Sequence, residues 1–351
     1  MVQAHNVFPS LTSAGLARDA FPVFLDHPTT IYFDSAATTQ KPSVVIQAVN
    51  DYHRRSVNIG RGTYPWANEV YEQVQMIREH VAQFLHAHSP TEIVFTAGAT
   101  DSLNMICLSW GLTNVKDGDE FLLCADDHKS STLPWLHLRQ TLRHYGVALK
   151  IIFYGTDETG KIDTYDLLSK VTRRTRLVGL THMHNVYGNL NDIAMIRAQL
   201  PDSILLALDA SQSVGHLNVD VQQLGVDFLS FSGHKMFGST GIGVLWVDQK
   251  WHAHLRPVLV GGGNDSRPFQ AETEENAPEV MPDLLEAGTQ NIAGILSLGA
   301  ALTFLQSVGL EAIHTYLSAL TTYLVSQLQM FDHLMFVPPQ RFQRSEHGYG
   351  V

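Results

Sequence analysis

Five short stretches carry side chains whose types and positions could do chemistry. The first is Ser232-Gly233-His234-Lys235, set between a mostly apolar run and a glycine-rich turn. Lysine is seldom buried without a partner or a task, and a buried lysine that sheds its proton is a nucleophile. The second is Asp209-Ala210-Ser211-Gln212, behind the apolar run SILLAL. An acid there is costly unless a cation faces it. The third is Asp126-Asp127-His128-Lys129, where the His128 imidazole is flat enough to stack on a ring. The fourth is His184-Asn185-Val186-Tyr187-Gly188, where the Asn185 amide suits a ligand oxygen. The fifth is Gly98-Ala99-Thr100-Asp101-Ser102, where a turn opens a helix and its free N–H groups suit a phosphate. Each has a plainer alternative: a lysine reaching back to water, a cap by Asp209, Thr100 or Ser102, a polar loop, a turn asparagine.

These stretches follow a repeating kind of element. Short runs rich in β-branched and aromatic residues occur at 92–97, 120–125, 149–155, 176–183, 203–210, 226–232 and 241–247. They are apolar on both faces, as strands of a covered sheet are. Between several of them lie amphipathic helices, such as 67–87, where Val70, Val74, Ile77, Val81 and Phe84 recur at steps of three and four. Alternating β and α predicts an α/β fold with a mainly parallel, doubly covered sheet. In such sheets ligands bind beyond the carboxyl ends of the strands, where all five stretches fall. From 292 to 331 the pattern turns almost wholly helical, which marks a second, smaller unit.

Composition narrows the class. The 351 residues carry a net charge of −11, which argues against a nucleic-acid partner and an anionic membrane surface. The first residues show no basic stretch followed by an apolar one, and no apolar run approaches the ~20 residues a bilayer requires. Two cysteines, Cys107 and Cys124, sit in apolar elements and form no CxxC, so a reducing cytoplasm is expected. The HxH pairs His86/His88, His182/His184 and His252/His254 lack other ligands at recognisable spacing, and no metal is expected.

A phosphate cup, a stacking ring, an amide, an acid and a lysine at successive strand ends are the set that pyridoxal phosphate requires. Lysine holds it as a Schiff base, the acid pairs with the pyridinium nitrogen and the cup anchors the phosphate. The sequence resembles the class V aminotransferase family of fold-type I pyridoxal-phosphate enzymes, and within it the group II cysteine desulfurases and selenocysteine lyases. The matching pieces are YFDSAATTQKP (32–42), FTAGATDSLNM (95–105), DDHKSSTLPW (126–135), HNVYGN (184–189), LDASQSVGH (208–216), FSGHKMFGSTGIGVLW (231–246), GGG (261–263) and EAGTQN (286–291).

The resemblance implies a pyridoxal-phosphate-binding large domain over 30–291 with a seven-stranded sheet. An N-terminal arm (1–29) and an incomplete smaller C-terminal domain (292–351) complete the chain. It implies that Lys235 carries the cofactor and moves the α-proton, that His128 stacks on the ring and assists, and that Asp209 pairs with the ring nitrogen. Gln212 and Asn185 contact the ring hydroxyl. Ala99, Thr100, Ser232 and His234 hold the phosphate. Thr289 reaches the phosphate of a neighbouring subunit, so a homodimer is implied. Asn185 and Arg61 face the substrate. The implied reaction turns L-cysteine into L-alanine and passes sulfur to an acceptor, in the family by way of an enzyme cysteine. Other class V chemistry that needs no enzyme thiol, such as a lyase or epimerase, and an inactive cofactor- or partner-binding chain are the alternatives.

The sequence departs from the family pattern in three ways. Gly60 stands where the family has histidine, beside the retained Arg61, and Gln290 stands where it has proline. The family's nucleophilic cysteine and a carboxylate-binding arginine are expected past Val351. Cys107 and Cys124 both read as small core residues. Helices after 292 that lack later strands are expected to keep an uncovered apolar face and to associate.

Overall fold

The computed structural model describes residues 18–59, 64–263, 280–334 and 336. Seven strands form one sheet: β1 Ile93–Thr96, β2 Glu120–Cys124, β3 Lys150–Tyr154, β4 Thr175–Thr181, β5 Leu205–Asp209, β6 Phe228–Ser232 and β7 Gly243–Val247. Their spatial order is β1-β7-β6-β5-β4-β2-β3. All neighbours are parallel except β7, which runs against both β1 and β6. β1 therefore points the same way as the five parallel strands, and six carboxyl ends share one edge.

The apolar runs form strands because successive side chains feed opposite faces, and both faces are covered. Phe121, Leu123, Leu177, Ala207, Phe228 and Leu245 join a cluster with Leu103, Ile106, Cys107, Trp135 and Leu138. Leu122, Cys124, Val178, Leu206, Leu229 and Val244 join the other, with Val70, Val74, Val81, Ile193 and Ile196. β3 departs from the expected two-sided burial. It is one of the two edge strands, with Lys150 and Phe153 exposed.

The periodic segments form helices at Pro65–Phe84, Lys129–His144 and Ile193–Gln199. The helix after β1, Ala99–Ile106, continues through a widened turn at Cys107–Gly111. The all-helical region divides at Gly309, whose φ of 86° ends one helix, Ile292–Val308, and bends the next, Leu310–Leu328, by 72°.

The first of these two helices is buried along its length against Ser43–Arg54 and Pro65–Phe84. That corrects the expectation of two uncovered helices, because its apolar residues complete the core beneath the sheet. In the second, only Ile313 is buried, and Tyr323 and Leu324 are exposed. No single helix among the described residues is long and apolar enough to cross a membrane.

Candidate active site

A cavity of about 460 Å³ opens at the shared carboxyl edge. Its wall includes Ala99, Thr100, His128, Asn185, Asp209, Gln212, Ser232, His234 and Lys235, residues that lie far apart in the chain. The parallel topology brings them together, since each lies at or just after the end of a strand.

At one end, β1 turns at Gly98 into the helix Ala99–Ile106. Gly98 has φ 153°, a conformation other residues adopt poorly, and a Cβ there would lie 3.3 Å from the Ser232 hydroxyl. The Ala99 N–H donates to Ser232 Oγ at 2.9 Å, which leaves the serine O–H free to donate elsewhere. The hydroxyls of Thr100 and Ser130 lie 2.7 Å apart. His234 Nδ1 is buried and has no hydrogen-bond partner among the described residues. Burial first, then the charges of Lys235 and Lys41, pushes its imidazole below the usual range.

At the other end stands Asp209, 7% exposed on the last residue of β5. One carboxylate oxygen accepts the Ser211 N–H at 2.9 Å and the other the Ser131 hydroxyl at 3.0 Å. Lys235 ends the turn Gly233–Lys235 after β6 and makes no hydrogen bond or ion pair among the described residues. Burial lowers its amine below the ordinary lysine value, and Asp209 partly opposes that. His128 caps the helix Lys129–His144 by accepting the Ser130 N–H at Nδ1, 3.2 Å away, which fixes one edge of its ring. Gln212 donates its amide N–H to the Ala36 carbonyl at 2.9 Å.

Two expected residues lie elsewhere. Thr289 is exposed, outside this cavity, and accepts a 3.4 Å hydrogen bond from Asn58. Arg61 lies outside the described residues, as does Gly60.

Other residues at the cavity carry no role in the sequence reading. Asp34, Ala36 and Ala37 form part of its wall. They belong to the stretch YFDSAATTQKP, which follows no sheet strand, so a search of strand ends passes over it. Ser131 is hidden within a helix start, and only the fold reveals that it faces Asp209. Asp127 precedes His128 in the chain, and burial raises its carboxyl to about 7.

Neither cysteine reaches the cavity wall. Cys107 is buried, its thiol on the Pro134 carbonyl at 3.1 Å, and burial pushes its pKa far up. Cys124 is buried in β2 and pushed up to about 12. Both are core residues, as expected.

The geometry therefore consists of a nucleophilic amine, a buried carboxylate facing it, a fixed imidazole and a ring of anion donors. The Aminotransferase class-V family matches residues 31–347, and the chain belongs to it. A probable cysteine desulfurase from Halalkalibacterium halodurans is 36% identical over 314 residues, which cover 89% of this chain and 75% of that one. The apo structure of a cysteine desulfurase from Thermococcus onnurineus NA1 superposes with a TM-score of 0.85 at 29% identity, covering 95% of this chain and 80% of that one. A cysteine desulfurase (S-sulfonic acid) from Escherichia coli gives a TM-score of 0.77 at 30% identity, covering 89% and 75%.

Proposed function

We propose that this chain is a pyridoxal-phosphate enzyme that takes L-cysteine and releases L-alanine, its sulfur passing to an acceptor thiol. The observation that carries the reading is the unpartnered Lys235 amine opposite the buried Asp209 in one cavity. The residues present fit the cofactor. The buried, unpartnered His234 Nδ1, the free O–H of Ser232 and the helix start at Ala99 and Thr100 form a donor set for a phosphate. Asp209, fixed by Ser131 and Ser211, suits a protonated ring nitrogen. When bound, the cofactor withdraws electrons from the substrate α-carbon.

The chain's own residues do the rest. Lys235 Nζ is the group that would hold the cofactor, and the same amine, once free, would accept the substrate α-proton. Its burial favours the neutral amine over the ammonium, the form that accepts a proton. His128 presents a ring of fixed orientation for stacking and proton transfer. Asn185, on the cavity wall, serves the substrate carboxylate. Thr289 serves the site of a second subunit in a homodimer, which agrees with its exposure here. The sulfur acceptor is a thiol other than Cys107 and Cys124, because both are buried and held protonated. Their unpaired state suits the cytoplasm.

That same observation gives a second reading, a class V lyase or epimerase that uses no enzyme thiol. Borohydride reduction of the protein incubated with pyridoxal phosphate tests the first part. A pyridoxyl group on Lys235 is expected by peptide mass, and its absence there overturns the cofactor reading. Alanine and sulfide from L-cysteine in the presence of an added thiol favour the desulfurase. No alanine favours the second reading.

A further inference from the structure

The turn that carries Lys235 is held from outside the sheet. The carbonyl oxygen of His234 accepts from the Thr39 N–H at 3.0 Å, the Thr39 hydroxyl at 3.0 Å, the Thr38 hydroxyl at 3.2 Å and Lys41 Nζ at 3.0 Å. Four donors converge on one acceptor that has two lone pairs. The Phe237 N–H, on the far side of Lys235, returns to Thr39 Oγ1 at 2.9 Å. The peptide from which Lys235 projects is therefore gripped on both sides by one short segment. Lys41 orders that segment in turn, donating to the Thr39 carbonyl at 2.6 Å and lying 3.4 Å from the Thr38 and Thr39 hydroxyls.

Lys41 is unusual in its surroundings. Its ammonium is half-buried and faces only carbonyl and hydroxyl oxygens. Among the described residues no carboxylate lies within ion-pair distance. Burial lowers it to about 8, so most of it is still a cation at neutral pH. An ammonium placed so contributes a charge-assisted hydrogen bond, which is shorter and stronger than a neutral one. It also contributes a positive field beside His234.

We propose that Lys41 is a positioning residue for Lys235: its ammonium fixes the His234 carbonyl, and its charge acts on the proton affinity of the linkage that Lys235 forms. The proposal rests on Lys235 being the cofactor-bearing lysine. Lys41 itself does not line the cavity; it reaches it only through the backbone carbonyl of His234, which does.

The test compares the wild-type holoprotein with Lys41→Met. One readout is the yield of borohydride-trapped pyridoxyl on Lys235. The other is the midpoint of the pH titration of the bound cofactor's visible absorbance, which a loss of packing alone does not move. Lys41→Met is expected to lower the trapped yield several-fold. It is also expected to raise the midpoint by about half a pH unit, because removing a nearby cation favours the protonated linkage. A variant that keeps the wild-type value in either readout overturns the proposal, even if it melts earlier. Lys41 would then only fasten the N-terminal segment. If Lys41→Met does not fold, Lys41→Gln, which keeps a shorter neutral donor, is read the same way. Absence of label on wild-type Lys235 overturns the cofactor reading and this proposal with it. Label on wild-type Lys235 beside an unchanged variant overturns this proposal alone.

Discussion

Asp209 and Lys235 line the same cavity, and their environments set them apart. Two donors hold the carboxylate, while among the described residues the amine has no hydrogen-bond partner and is desolvated. Asp209→Asn removes the counter-charge for a ring nitrogen and keeps the side chain's shape. It is expected to leave the borohydride label on Lys235 and to lower kcat by orders of magnitude. Loss of the label together with activity would show that the acid acts on assembly instead. His182 gives a pH prediction at the same scale. It is buried, with Nδ1 3.0 Å from Ser213 Oγ, and burial lowers it from 6.5 to about 4. Between those values the unfolded chain binds more protons than the folded one. Stability therefore falls as pH drops from 6.5 toward 4, at up to about 1.4 kcal/mol per pH unit. Urea unfolding from pH 7 to pH 5 is expected to show a shallower acid limb in His182→Asn than in wild type. Equal slopes would sink the assignment.

At the scale of elements, the phosphate end depends on how closely two backbones approach. A Cβ built on Gly243 of β7 would meet Gly98 Cα at 2.4 Å and the Phe231 carbonyl at 2.7 Å. Neither is a flexible side-chain end, so Gly243→Ala must push β7 away from the turn at Gly98. Overpacking of this kind costs about 1–3 kcal/mol. Gly243→Ala is expected to lower the denaturant midpoint and also to weaken cofactor retention on dialysis, because the same shift displaces the Ala99 N–H. A variant destabilised but holding cofactor normally would separate the two. The strands were legible because both-face burial writes itself as continuous apolar runs. In sequence β3 resembles a covered strand because Ile151 and Ile152 are apolar, whereas its edge position leaves Phe153 39% exposed. Edge or centre is decided by partners, which a single run does not encode.

At the scale of the molecule, one buried ion pair ties distant parts together. Arg78, inside the helix Pro65–Phe84, grips Glu286 through two hydrogen bonds of 2.7 and 2.8 Å. Arg78 also donates to the Ile93 carbonyl at 2.6 Å and lies over the Phe95 ring at 4.4 Å, while Glu286 accepts the Phe95 N–H at 2.7 Å. The pair joins β1 to the segment that leads to Thr289. Removing one partner leaves a buried charge uncompensated, at about 3–5 kcal/mol. Arg78→Met is expected to lose that much in chemical denaturation, and Arg78→Met with Glu286→Gln to lose less. An additive double variant would deny the coupling.

The sequence by itself determined the seven strands and the long helices, because periodic burial is a local pattern of side-chain types. It also determined the order of chemical groups along the chain, because each follows a strand end, and the burial of both cysteines. Tertiary structure decided the rest. It decided that Ser131 steadies Asp209, that Asp34 and Ala36 close the cavity, and that Lys41 reaches the peptide before Lys235. These are contacts between residues tens to hundreds of positions apart. Which of many polar side chains meet depends on strand order and on the direction of each crossover, and both arise only when the whole sheet is assembled.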